Sequence, residues 1–240
     1  MLLHRSLAVA DKVYFYLWVG RSLDCNSVVL ANVLEGPKPH VLVDPGMTNL
    51  GMGEDPLTSL SEAMEGDGLS LKDVGLVLGT HSHPDHFQAV DAVVSLSGAG
   101  VALSSAEHKF MKGIGGAMYH SFGTRVPSSE PSVILEEGPL SLDGLQLDID
   151  VIIAPGHSPG CACLYLKDSR VLVSGDVVFP GSIGRMDLPG GSVSQMRESI
   201  ERLSNLDIEH ILAGHSSMGA PVVSGKENVV RNFQMVRMFF

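Results

Sequence analysis

The chain has 240 residues, 44% of them hydrophobic, which is enough to enclose a full core as one domain. Its 16 Lys and Arg face 27 Asp and Glu, a formal charge of −11, and a surface of that sign argues against binding nucleic acid. The three cysteines are too few for a disulfide framework, and no apolar stretch approaches the roughly 20 residues that cross a bilayer; a soluble, cytoplasmic protein without membrane contact is expected.

Val13 to Val19, Ser27 to Leu34 and Val41 to Val43 read as strands, the last two parted by the turn Glu35-Gly36-Pro37-Lys38-Pro39. Asp55 before Pro56 is a cap signal and predicts a helix from Asp55 to Glu65. Gly75 to Gly79 is a strand, Phe87 to Leu96 a helix with Phe87, Val90, Val93 and Val94 at helical spacing, and Val101 to Leu103 a short strand. Between Ser105 and Ser132, Gly113, Gly115, Gly116 and Gly123 interrupt Met111, Met118, Tyr119 and His120. A short helix from Ser105 to Met111 is expected there, and the rest suits a lid, a substrate wall or an ordinary insertion.

A second half repeats the theme. Val133 to Leu135, Leu145 to Ala154, Cys161 to Leu166, Val171 to Ser174 and Glu209 to Ala213 are predicted strands. Ser192 caps a helix to Leu203, and Val222 to Phe240 reads as a closing helix. Two similar strand-rich halves with helices outside predict an α/β fold, a four-layer αββα sandwich forming a single domain over 1–240.

The chemistry is concentrated in His81, His83, Asp85 and His86, three imidazoles and a carboxylate within six positions. Such a group is a poor core and a good metal site for zinc, iron or manganese. His157, Asp176 and His215 follow apolar runs ending in Pro155-Gly156, Ser174-Gly175 and Ala213-Gly214. Four strand ends thus present ligand-type residues, at the sheet rims where α/β enzymes place their chemistry. Ser158 and Ser216 adjoin ligand-type histidines but lack a free base, so structural roles are expected for them.

Thr80-His-Ser-His-Pro-Asp-His86, followed by His157, Asp176 and His215, resembles the metallo-β-lactamase-fold superfamily over nearly the whole chain. Ala154-Pro-Gly-His-Ser-Pro-Gly160, Ser174-Gly-Asp-Val-Val-Phe179 and Gly184-Arg-Met-Asp187 look like its glyoxalase II-like branch of thioester hydrolases and persulfide dioxygenases. True β-lactamases are less similar, since they usually carry Cys or Ser where this chain has Asp176.

The resemblance implies two adjacent divalent ions, zinc first, with iron or manganese as alternatives. His81, His83 and His157 would hold one; Asp85, His86 and His215 the other; Asp176 would bridge, and Asp44 would orient the ligands from behind. It also implies a metal-activated water attacking a small acyl thioester or related ester, with Asp85 as the catalytic residue that orients it. Arg185 falls near the centre, either as a brace with Asp187 or as an anion contact, and Tyr119 and His120 are further substrate-side candidates.

The alternative is a persulfide dioxygenase with one iron on His81, His157 and Asp176. Lactonase and nuclease readings stand behind it, the nuclease opposed by the acidic charge. Glyoxalase II proper adds a C-terminal helical region for its thiol carrier, whereas 25 residues follow His215 here, so the reaction class transfers better than the substrate. The expected partner is a small molecule, and the apolar tail Met235, Val236, Met238, Phe239 and Phe240 suits a homodimer or packing on its own sheet.

Overall fold

The central strands of this chain are buried on both faces, and a sheet of that kind needs a cover on each side. In the computed structural model, which describes residues 3–21, 23–48, 53–217 and 220–240, two sheets cover one another and helices cover the outer faces. The first sheet runs in chain order: β1 (His4–Ala10), β2 (Val13–Trp18), β3 (Ser27–Leu30), β4 (His40–Val43), β5 (Val74–Leu78), β6 (Gly100–Ser104) and β7 (Val133–Leu135). Helix α1 (Pro56–Gly66) precedes β5, while the short α2 (Pro84–Phe87) and α3 (Val90–Ser97) precede β6. Two further helices, α4 (Ser105–Lys112) and α5 (Gly116–Ser121), lie between β6 and β7.

The second sheet is built from β8 (Gly138–Pro139), β9 (Ile149–Ile153), β10 (Ala162–Leu166), β11 (Val171–Gly175), β14 (His210–Ser217) and β15 (Ala220–Ser224). A small hairpin of β12 (Val178–Phe179) and β13 (Ser182–Ile183) leads to α6 (Val193–Leu203), and α7 (Lys226–Val236) closes the chain before a 3-10 turn. Period-two alternation sorts the side chains. Val28, Leu30, Val41, Val43, Leu76 and Leu78 meet Leu164, Leu166, Val171, Val173 and Leu212 between the sheets. Val29, Leu42 and Val77 pack outward under Leu60, Met64, Val90 and Val93. Leu172, Ile211 and Cys163 do the same under Met196, Ile200, Val229 and Phe233. Three apolar seams between four layers are the αββα sandwich expected from the sequence.

Several boundaries differ, each for a physical reason. β1 escapes a pattern reading because, as an edge strand, most of its residues are exposed or half-buried. Val133 to Leu135 does not begin the second sheet; it pairs in parallel with β6 in the first. The strand predicted from Leu145 shrinks to β9, since Leu145 turns back on Leu142 and Gln146 bonds to Val33. The closing helix predicted from Val222 starts only at Lys226, after β15 and a Gly225 whose φ is 90°. The 105–132 segment is anchored rather than loose: Phe110, Met111 and Tyr119 are buried beneath α4 and α5. All three cysteines are free and buried.

Candidate metal centre

Parallel pairing of β4, β5 and β6 points their C-terminal ends to one rim, and β11 and β14, also parallel, bring theirs to the same place. Asp44 follows β4, the 80–87 loop and turn follow β5, and Asp176 follows β11. His157 sits in the loop after β9. His215 lies inside β14 rather than beyond it, where pairing with β15 slips out of register between Leu212 and Ser217. Such irregularities re-aim side chains. The turn needs glycine: a Cβ on Gly214 would collide with Asp176 Oδ1 and lie 2.6 Å from His86 Cε1. At Gly184 a Cβ would collide with the Asp176 carbonyl oxygen.

The rim collects the seven sequence-identified residues as two triads and one carboxylate between them. His81, His83 and His157 form one, and Asp85, His86 and His215 the other, each offering atoms within 4.8 Å of one another. Asp176 stands between them, with Oδ1 3.2 Å from His86 Nε2 and Oδ2 3.5 Å from both His157 Nε2 and His215 Nε2. His215 Nε2 is 3.2 Å from Asp85 Oδ2.

The back faces of the imidazoles are tied down. His86 Nδ1 donates to Asp44 Oδ2 at 2.8 Å, and Thr80 gives its N–H to Oδ1 and its hydroxyl to Oδ2, both at 2.7 Å. Thr80 Oγ1 in turn accepts from His81 Nδ1 at 3.1 Å, and the Arg185 carbonyl accepts from His157 Nδ1 at 2.7 Å. With Nδ1 donating, Nε2 keeps its lone pair. Nε2 of His81, His83 and His157 and Oδ1 of Asp176 are buried without a hydrogen-bond partner. Several orphaned acceptors facing one another are costly unless a cation fills the space between them. The donor set therefore fits divalent ions. Asp44, His81 and His86 also lie close together, but through the hydrogen-bonded Nδ1 side, which makes them an orienting group and not a third site.

Electrostatics divides the triads. Burial pushes His81 well below the ordinary imidazole range and His83 down to about 3, with neighbouring imidazoles adding to both shifts. Burial is the largest single influence on His86 and His215 and acts downward, but Asp176 together with Asp44 at His86, and Asp176 together with Asp85 at His215, overcome it, so both are raised. Burial would raise Asp85, yet the His215 hydrogen bond and the His86 charge bring it to about 2. Asp176 falls well below the carboxylate range, burial being overcome by His215 and His86. His81 and His83 are thus held neutral and open to a cation, whereas His86 and His215 are drawn into ion pairs with Asp176 and Asp85, whose protons a bound cation would displace.

The remaining candidates lie elsewhere. Tyr119 is 0% exposed and donates its hydroxyl to the Ser82 carbonyl at 2.8 Å; it braces the His81–His83 loop from the core side, and the substrate-side placement is corrected accordingly. His120 is exposed on α5, beside a surface groove lined by Lys112, Val126 and Ser128. The Arg185 guanidinium is 68% exposed and makes two bonds to Asp187, at 2.9 and 2.7 Å, so its backbone serves the site more than its charge does. Two residues were missed. Asn26 ties the first sheet to the His215 strand, its N–H donating to the Gly214 carbonyl and its amide to Ala213. Glu107 is a fully buried carboxylate on α4 that accepts from Ser82 and from Ser158 and Gly160. Its only sequence signal is Ser104-x-x-Glu107, which reads as an ordinary helix start.

A two-sheet sandwich with paired His/Asp triads at its rim defines a scaffold for metal-dependent hydrolysis. The model of the metallo-beta-lactamase superfamily matches residues 21–215, and the chain belongs to that family. It is 29% identical over 187 residues to the probable metallo-hydrolase MJ0888 of Methanocaldococcus jannaschii, covering 76% of this chain and 85% of that one. It is 30% identical over 192 residues to the hydroxyacylglutathione hydrolase GloC of Haemophilus influenzae, 77% of this chain and 84% of the relative. A shorter match, 41% over 99 residues, links 39% of this chain to 34% of the acyl-coenzyme A thioesterase MBLAC2 of Gallus gallus. Among solved structures, the metallo-beta-lactamase family protein TTHA1429 of Thermus thermophilus superposes with a TM-score of 0.78 at 21% identity, over 97% of this chain and 80% of that one. TTHA1623, solved in a di-iron-bound form, gives 0.67 at 28% identity, over 89% and 95%. The chain is a metal-dependent hydrolase by family and by donor set, and no helix among its described residues is long and apolar enough to cross a membrane.

Proposed function

We propose that this protein holds two divalent ions, zinc by preference, and hydrolyses a small acyl thioester or a related ester. One observation carries the reading: Asp176 stands within 3.5 Å of ligands from both triads, where a carboxylate can serve two ions at once. When bound, divalent ions lower the pKa of a coordinated water far below its bulk value, to about 7, and polarise the carbonyl that it attacks.

The chain's own residues do the rest. Asp44, Thr80 and the Arg185 carbonyl hold the imidazoles with Nε2 turned inward. The Asp85 carboxylate, charged at neutral pH, faces the centre and orients the attacking water through a hydrogen bond. Ser158 does not compete as nucleophile, because its hydroxyl is given to Glu107 at 2.5 Å. The half-buried ring of Phe179 lies 6.1 Å from His215 and flanks the centre with apolar surface that suits an acyl chain, while the buried ring of Phe110 backs His83 at 5.9 Å. The names of two relatives, a hydroxyacylglutathione hydrolase and an acyl-coenzyme A thioesterase, favour that substrate class.

The partner in this reading is a small molecule, with neither nucleic acid nor membrane, in the cytoplasm. A homodimer through Met238 and Phe239, 84% and 53% exposed, belongs to the same proposal. The test is elemental analysis of protein purified without added metal, followed by thioester, lactone and persulfide panels. Two ions per chain with thioester turnover are expected, whichever metal is found. A single iron with oxygen-dependent persulfide consumption would overturn the proposal in favour of a dioxygenase on His81, His157 and Asp176.

A further inference from the structure

We infer that Glu107 is a positioning residue that sets the geometry of the first triad by holding two ligand loops on its two carboxylate oxygens. The inference rests on the metal-binding reading above. Within that triad His81 and His83 come from the loop after β5, in the first half of the chain, whereas His157 comes from the loop after β9, in the second. Nothing in the covalent chain keeps these loops at a fixed separation. Glu107 does so, from a third element, α4.

Its Oε2 accepts the Ser82 N–H at 2.8 Å and the Ser82 hydroxyl at 2.7 Å. Its Oε1 accepts the Ser158 hydroxyl at 2.5 Å and the Gly160 N–H at 2.7 Å. Ser82 lies between His81 and His83, and Ser158 follows His157. One fully buried carboxylate therefore spends its four acceptor positions on two loops, two on each.

The surroundings leave it no freedom. Ser104 caps α4 by accepting the Glu107 N–H at 3.2 Å and donates its own hydroxyl to the Gly160 carbonyl at 2.7 Å. Tyr119 holds the Ser82 carbonyl from the other side. A Cβ on Gly160 would come within 2.9 Å of the Glu107 nitrogen, so the second loop lies directly on the helix start.

The chemistry of the pair of oxygens makes the test sharp. A serine hydroxyl can turn, but a backbone N–H cannot, and each Glu107 oxygen accepts one backbone N–H. Glutamine keeps the shape and offers only one oxygen, so either orientation of its amide opposes an NH2 to a fixed N–H. Glu107→Gln must release one of the two loops.

The experiment compares wild type and Glu107→Gln loaded with Co2+, measuring ions per chain after dialysis against a limiting chelator together with the visible Co2+ spectrum. Val93→Ala, a core truncation in α3, controls for lost stability. The expected result is two ions in wild type and in Val93→Ala, but about one in Glu107→Gln. The affinity of the lost site should fall about 10- to 100-fold, with its contribution to the spectrum altered. Two ions with unchanged affinity and spectrum in Glu107→Gln would overturn the inference. If the glutamine variant does not fold, Ser82→Ala combined with Ser158→Ala removes one bond per oxygen and must weaken the same site; unchanged binding there would be equally fatal. Should wild type hold only one ion, the two-ion reading fails by itself. Glu107 is then judged on that ion, since a site on His81 and His157 crosses the same pair of loops.

Discussion

Replacing Asp44 by Asn tests how the second triad makes His86 Nε2 available to a cation. Asp44 is 2% exposed, and its φ of 52° lies in a left-handed region that Asn also tolerates, so the backbone should not move. The Thr80 N–H, 2.7 Å away and unable to rotate, requires an oxygen at the Oδ1 position. The amide nitrogen must then face Thr80 Oγ1 and His86 Nδ1. His86 can accept that N–H only by moving its own proton to Nε2, the atom that lies 3.2 Å from Asp176. An Nε2 that carries hydrogen cannot bind a cation. Loss of an orienting partner of this kind costs about 10- to 100-fold in metal affinity, or about 1.4–2.7 kcal/mol. The metal-free fold loses in addition one charge-assisted hydrogen bond, about 1.5–3 kcal/mol. Chelator competition and calorimetric titration of wild type and Asp44→Asn, alongside urea unfolding of both without metal, separate the two costs. An unchanged second-site affinity in a folded Asp44→Asn protein would refute the tautomer argument.

Four other outcomes follow from the same geometry. Burial holds His4 at about 4 against 6.5, so its contribution is intact above pH 6.5. As the unfolded chain takes up the proton first, stability should erode by about 1.4 kcal/mol per pH unit and level off below the folded value, a loss of about 3 kcal/mol; parallel pH–stability curves for wild type and His4→Leu would contradict this. Gly214→Ala should displace Asp176 and His86 together and lower kcat/KM by about 100-fold, with retained turnover the contrary result. Tyr119→Phe should lose about 1 kcal/mol of stability at unchanged KM, and a tenfold rise in KM would return Tyr119 to the substrate side. Chelation should lower the melting temperature, because each site held at a hundred times its Kd contributes about 2.7 kcal/mol; an unmoved Tm would argue against bound ions.

The rim was legible in the sequence because three imidazoles and a carboxylate crowd into positions 81–86, and because His157, Asp176 and His215 each follow a glycine close to a strand, local patterns that survive without knowledge of the fold. Asp44 was legible only through the family resemblance, because Asp44-Pro45-Gly46 by itself reads as a strand-end turn. Glu107 was not: its partners Ser82 and Ser158 are 25 and 51 positions away, and nothing in either stretch marks it. Tyr119 misled because an aromatic beside glycines resembles a mobile wall, whereas its ring fills the core under α5 and only its hydroxyl meets a loop. Val133 to Leu135 was recognised as a strand but assigned to the wrong sheet, since three residues say nothing about which edge they join. The run from Val222 was apolar enough for either helix or strand, and the antiparallel partner His210 to Leu212 decided it.

The polypeptide passes from one sheet to the other once, at Glu136 and Glu137, between β7 and β8. Each triad draws donors from both sides of that passage, His157 completing one and His215 the other. A cation seated in either triad would therefore act as a clasp between segments more than 70 positions apart in the chain, since His83 and His157 meet with ring centroids 4.5 Å apart. Fragments severed at the passage would each carry an incomplete donor set, and dissolved metal would drive them back together.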